Sequence, residues 1–141
     1  MNLLSRTQET LYFQSVAGKM YSHPAGFVRL VWSAERVPVD TIKIFYEQAL
    51  ALLLNSGAHK ILSDHGQRLP LISLTQQWIT ENWVPRAMSL ARTRHCAIVE
   101  GANPMHRLAI QSVVTTAPKD FIFQRFPSTE AAEAWLGSIR T

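Results

Sequence analysis

Two kinds of hydrophobic period run along this chain. The first quarter alternates apolar and polar residues in short runs, and the remainder sets apolar residues at helical spacing between short β-branched segments. "TLYFQ" (10–14) and "VAGKMYS" (16–22) read as strands meeting at a kink near Ser15. "HPAG" (23–26) places proline and glycine where a turn needs them. "FVRLVWS" (27–33), rich in β-branched and aromatic residues, is a third strand. The three predict an antiparallel meander.

The period then changes. Ile42, Phe45, Tyr46, Ala49, Leu50 and Leu53 form one apolar stripe at i, i+3, i+4, i+7, i+8 and i+11, and Gly57 closes that helix. "HKILSD" (59–64) is a short strand. A helix over 73–91 follows, opened by a capping box of Ser73 and Gln76. "HCAIVEG" (95–101) is the next strand. Asn103 caps a helix with Pro104 at its first position, and Met105, Leu108, Ala109, Ser112, Val113 and Thr116 lie on its expected inner face. "FIFQRF" (121–126) is a last strand and "STEAAEAWLGSIR" (128–140) a capped helix. From Phe27 onward strands and helices alternate with short loops, which predicts right-handed crossovers and a mostly parallel sheet packed with about four helices. The expected architecture is α/β, a single domain over residues 1–141.

Composition narrows the class. With 47% hydrophobic and 17% charged residues, the chain is globular and long enough to bury a core without staples. Its longest apolar run, "ALALLL" (49–54), is too short to span a bilayer, so no membrane insertion is expected. The start, "MNLLSRTQET", lacks a signal peptide's apolar centre, and Cys96 has no partner for an intrachain disulfide; both favour a cytoplasmic location. "ETLYFQS" (9–15) resembles a tag-removal protease site, but it alternates like a strand and reads as native. The net charge of +4 comes from dispersed arginines, with one cluster at Arg86, Arg92 and Arg94 placed to complement a helix C-terminus. No reading helix or stacking platform accompanies the charge, which argues against nucleic acid.

The segment "WITENWVPRA" (78–87) crowds two tryptophans against a proline. At regular helical pitch Trp78 and Trp83 stand about 140° apart. Trp83 joins Ile79, Ala87 and Leu90 on the inner stripe, and Trp78 falls on the flank with Asn82. Pro85 frees the Glu81 carbonyl and bends the helix, and Arg86 follows it. The tryptophans are expected to pack, or to present an interface, rather than to cage a ligand.

A central strand ending in Asp64, a loop, the "QQWITENWVPRA" helix and "CAIVEG" together resemble small bacterial proteins of the STAS-like (SpoIIAA-like) superfamily, grouped with STAS and CRAL-TRIO lipid-binding domains. The resemblance runs from about Leu11 to Leu136 and is most specific at the tryptophan segment. It implies a cytoplasmic, non-enzymatic regulatory or protein-interaction module. Better-known relatives are anti-sigma-factor antagonists switched by serine phosphorylation, and Ser73 is the nearest equivalent position. "ISLTQQ" replaces the antagonists' motif, however, so Ser73 is better explained as a helix cap.

Candidate chemistry gathers at the carboxyl ends of the parallel strands, where ligands of such sheets collect. Asp64, His65, Gln67 and Arg68 follow one strand, Glu100, Asn103 and His106 the next, and Arg125 lies in the last. These residues form either a solvated polar rim or a site for a small anion or polar head group. Asp64 and His65 point to opposite sides of an extended segment, as do His95 and Cys96, so neither pair makes a catalytic dyad. The five histidines lack metal-ligand spacing, and no phosphate loop, nucleophile elbow or dinucleotide fingerprint occurs, so neither metal nor cofactor is expected. The leading expectation is a protein-binding module, with a homodimer among its forms; a small-ligand or lipid-binding domain and a rim enzyme are the alternatives.

Overall fold

The computed structural model describes residues 8–139. The segment before Gln8, and Arg140 at the end of the expected last helix, lie outside the described residues. Strands β1 (Thr10–Ser15), β2 (Gly18–His23) and β3 (Phe27–Trp32) form the expected antiparallel meander. Val16 and Ala17 are not strand but the turn joining β1 to β2. That turn is tight because Gly18 sits at φ 153°, where a Cβ would lie 2.2 Å from the Val31 carbonyl oxygen.

Helix α1 (Val39–Ser56) leads to β4 (Lys60–Asp64), and its end is closed by Gly57 at φ 71°, whose N–H donates to the Leu53 carbonyl. Helix α2 consists of Ser73–Trp78, a π turn at Ile79–Trp83, and Val84–Ala91. Strand β5 (His95–Val99), helix α3 (Pro104–Thr116), strand β6 (Ile122–Phe126) and helix α4 (Thr129–Ser138) complete the chain. The architecture is α/β, with six strands in sequence order and parallel pairing from β3 to β6. Among the described residues, no helix is long and apolar enough to cross a membrane.

Because the strands follow one another across the sheet, right-handed crossovers carry every connecting helix to the same side. Accordingly α1, α2 and α3 bury one face through Leu30, Trp32, Phe45, Leu53, Ile61, Trp83, Ile98 and Val113. Helix α4 covers part of the other face, where Ala132 and Leu136 pack on Phe27, Leu62, Ala97 and Val99. Lys60, buried on that second face, donates to the Leu136 and Ile139 carbonyls at 2.8 and 2.9 Å, so a cation caps the carboxyl end of α4.

Two helices depart in part from the faces their periodicity predicts, although Ile79, Trp83 and Ala87 of α2 and Ala109 and Val113 of α3 are buried as expected. In α2 the Val84 N–H reaches back five residues to the Ile79 carbonyl, which accommodates Pro85 without an orphaned donor. An i→i+5 turn brings residues five apart onto one side, so Trp78 and Trp83 share a neighbour instead of diverging. Their rings meet Tyr46 at 5.9 and 5.1 Å, and Trp83 Nε1 donates to the Tyr46 carbonyl at 2.7 Å. The phase change leaves Leu90 57% exposed and buries Val84 and Ala91. In α3 the buried residues are His106, Ala109, Ile110 and Val113, while Met105, Leu108, Ser112 and Thr116 face outward. The capping box is also absent. Ile72 holds the N-cap position without a side-chain cap bond, Ser73 is exposed, and Gln76 Nε2 donates to the Leu71 carbonyl. Arg86 does not complement a helix end; its guanidinium pairs bidentately with Glu47 at 2.6 Å and ties α2 to α1.

Two glycines make opposite predictions. Gly18→Ala forces a methyl into backbone at positive φ and should cost about 2 kcal/mol or more. Gly137→Ala, in α4 with open space around the new methyl, should be neutral or add up to about 1 kcal/mol. Urea unfolding of the two variants against the parent chain checks both signs.

Candidate functional site

Strand β3 ends in Trp32, whose indole is buried and fixed on several sides. Its Nε1 donates to Ser63 Oγ at 2.9 Å, and its ring packs on Phe45 and Tyr46 at 4.6 and 5.2 Å. On its face lies the Arg68 guanidinium, with Cζ 3.5 Å from the ring centroid. Arg68 comes from the β4–α2 loop, held by its own N–H donating to the His65 carbonyl and by Gly66 at φ 46°. Only 4% exposed, it forms one long side-chain hydrogen bond among the described residues, to the Tyr46 hydroxyl at 3.5 Å, and pairs with no carboxylate among them. Its Nη1 is closed to water and has no partner. Burial pulls the Arg68 pKa below its usual value and the Tyr46 oxygen pulls the other way, but an arginine stays cationic at neutral pH.

Behind this stack runs a column of polar side chains. Ser63 Oγ meets His65 Nε2 at 3.0 Å, and His65 Nδ1 meets His106 Nε2 at 2.9 Å. Both histidines are buried, at 3% and 0% exposure. Each contact joins one proton donor to one acceptor, and two tautomer arrangements satisfy both contacts: the protons run from Ser63 towards His106 or from His106 towards Ser63, and in either His106 Nδ1 has no hydrogen-bond partner among the described residues. Burial depresses both pKa values, and the Arg68 and Arg125 charges add to it, taking His65 well below its ordinary range and His106 down to about 3; the Leu69 carbonyl opposes this weakly. Gly101 makes the close approach feasible, since a Cβ there would crowd His65 Cβ and the Gly66 carbonyl at 3.3 Å.

The remaining rim residues have other work. Asn103 is spent as the α3 cap, its Oδ1 accepting from Met105 and His106 N–H at 2.9 and 3.2 Å. Glu100 pairs with Arg125, which also donates to the Arg107 carbonyl. Asp64 lies across the sheet from His65, whose ring follows Ser63. Cys96 is buried in β5 with its thiol pushed up to about 12, which removes it as a nucleophile. No group of three acidic, histidine or cysteine side chains suited to a metal occurs among the described residues.

The concave feature beside these groups is a cleft of about 370 Å³ at the carboxyl edge of β3 and β4. It lies between the β1–β2 turn (Ala17), the β3–α1 loop (Ser33 to Val37), the start of α1 (Val39, Ile42) and the β4–α2 segment from Arg68 to Thr75. Of the rim residues expected from sequence, the cleft takes only Arg68. His65 and His106 stand behind it in the core, while Asp64, Ser73, Glu100 and Asn103 do not line it. The polar rim is therefore not one solvated surface. Trp32, Arg36 and Thr75, which do line the cleft, carry no motif that singles them out in the sequence. No protein-family model, curated protein or solved structure matches this chain.

The histidine pair sets an acid limit on stability. Both groups have folded pKa values below the unfolded value of about 6.5, so stability is intact above that pH and falls as pH drops through the window towards 3. Each contributes a slope of up to about 1.4 kcal/mol per pH unit while the unfolded chain binds its proton and the folded chain does not. Urea midpoints measured from pH 7 to pH 4 should decline steeply, and the slope should flatten in His65→Gln/His106→Gln.

Proposed function

We propose that this domain binds a small molecule in the cleft at the carboxyl edge of β3 and β4 and does not transform it. One observation carries the reading: a cleft of about 370 Å³, in the range of small-ligand sites, combines an apolar wall of Val37, Val39, Ile42 and Leu71 with a buried cation at Arg68. The position also fits, since ligands of parallel sheets collect outside the carboxyl ends of the strands. A catalytic role lacks support in the same residues. The histidines meet one another behind the wall, Cys96 is sealed in the sheet, and the Ser63 hydroxyl that stands beside His65 is buried with it and does not line the cleft. The STAS-like resemblance of the tryptophan helix leans the same way, towards binding rather than chemistry.

A protein-interaction role, with a second copy of the chain as partner, draws on one separate observation. Leu74 in α2 and Met105 and Leu108 in α3 are 73%, 62% and 64% exposed on neighbouring helices. Native mass spectrometry separates the two readings, since a retained ligand adds a small mass and self-association doubles the chain.

Val39→Trp should fill the cleft from the first turn of α1, where the side chain is half-buried and open to enlargement. Calorimetric titration with small apolar acids and amides should show saturable binding by the parent chain and at least about a tenfold loss in Val39→Trp, with the melting temperature little changed. Equal binding by both chains would remove the cleft from consideration.

A further inference from the structure

The groups at the base of the cleft specify the chemistry of its ligand, on the reading that the cleft is a binding site. Arg68 is the first. A buried guanidinium ordinarily meets a carboxylate, because removing an unpaired charge from water costs several kcal/mol. Here its plane is fixed on Trp32, its Nη2 reaches only the Tyr46 hydroxyl, and Nη1 has no partner. Thr75 is the second. It lies in the first turn of α2, is 1% exposed, lines the same cleft, and its Oγ1 has no hydrogen-bond partner. The carbonyl a helical threonine would normally use, that of Leu71, already accepts from Gln76 Nε2. One planar cation with a free N–H edge and one hydroxyl donor thus border a single space.

The charge of that space is small. The ionisable residues around it are Arg68, Arg36 and Glu35; the latter two are exposed and opposite in sign, which leaves one net positive charge. A doubly charged phosphate would keep an uncompensated negative charge against an apolar wall. We infer that the ligand is a small organic carboxylate of single negative charge with an apolar body, its oxygens taken by Arg68 Nη1 and Thr75 Oγ1 and its body lying against Val37, Val39, Ile42 and Leu71. Neither donor atom touches water, so binding requires Thr75 to turn about χ1 or the Leu69–Ile72 segment to give slightly.

The test is calorimetric titration of the full chain with 3-phenylpropionate, its neutral amide and inorganic phosphate. The carboxylate should bind at least about tenfold more tightly than the amide or phosphate, the margin of a charge-assisted bidentate contact. Arg68→Met, which keeps the apolar stem, should erase that preference, bringing acid and amide to similar affinities. Thr75→Val should weaken the acid several-fold and leave the amide unchanged. Arg68→Met should also melt at or above the parent temperature, because it removes a buried charge that no protein carboxylate compensates. Should Arg68→Met not fold, Arg68 is a structural cation and the assignment to ligand fails, whatever Thr75→Val does. Acid and amide binding alike to the parent chain, or tighter binding of phosphate, overturns the carboxylate class while the cleft remains a binding site. No binding of acid or amide overturns both readings.

Discussion

A positive charge enclosed without a negative one is the constraint around which the carboxyl edge of this sheet is arranged. Desolvating Arg68 costs several kcal/mol. A desolvated cation–π contact returns about 2 kcal/mol, and one long hydrogen bond to a phenol returns less. The difference is drawn from the stability of the rest of the fold, which holds the guanidinium in place. Trp32 is held through Ser63 at one end and Phe45 at its face, and Tyr46 is gripped between Trp78 and Trp83. The tryptophans of α2 thus act at second hand: they immobilise Tyr46, which with Trp32 immobilises the cation.

The same charge adds to what burial imposes on the core behind it. His65 and His106 would each accept a proton in water, but burial first, and then the Arg68 and Arg125 charges, keep the pair neutral. Neutrality leaves one proton for each contact of the column that runs from Trp32 through Ser63 and His65 to His106. Gly101 and the backbone bond from Ala102 N–H to the Gly66 carbonyl draw the β4 and β5 loops together tightly enough for the two rings to meet. Packing, protonation and loop position are one problem here, solved jointly.

Much of this architecture is legible in the sequence, and the reasons differ element by element. The meander, the α1 stripe, the Gly57 closure and the Asn103 cap follow from local rules that tertiary contacts do not disturb. The inner face of α3 is misread because a histidine takes a core position, and hydropathy alone gives His106 no reason to be inside. In α2 the stripe of Ile79, Trp83 and Ala87 is legible, and it fails only at Leu90, because the π turn shifts the phase so that Ala91 is buried instead. As for the site, Arg68 is visible as a rim residue. Its partners are not: Trp32 reads as an ordinary strand terminus, and Thr75 becomes conspicuous only when its hydroxyl is found buried and unanswered. The lesson is that polar residues after a strand tell where a site could be, while burial without a partner tells which of them wait for something.

The π turn at Ile79–Trp83 has a consequence for how this chain can change length. Such a turn holds one residue more than an α-helical turn would, so it behaves as an insertion the helix has absorbed. Deleting one residue there would let α2 return to regular geometry at little local cost. It would also swing every later side chain by about 100° around the axis, carrying Trp83 away from the Tyr46 carbonyl and Arg86 away from Glu47. The helix tolerates the extra residue easily, whereas the aromatic cluster and the α1 contact depend on it. Length variation among chains built this way should therefore collect in the loops, with the span from Trp78 to Arg86 kept at fixed length.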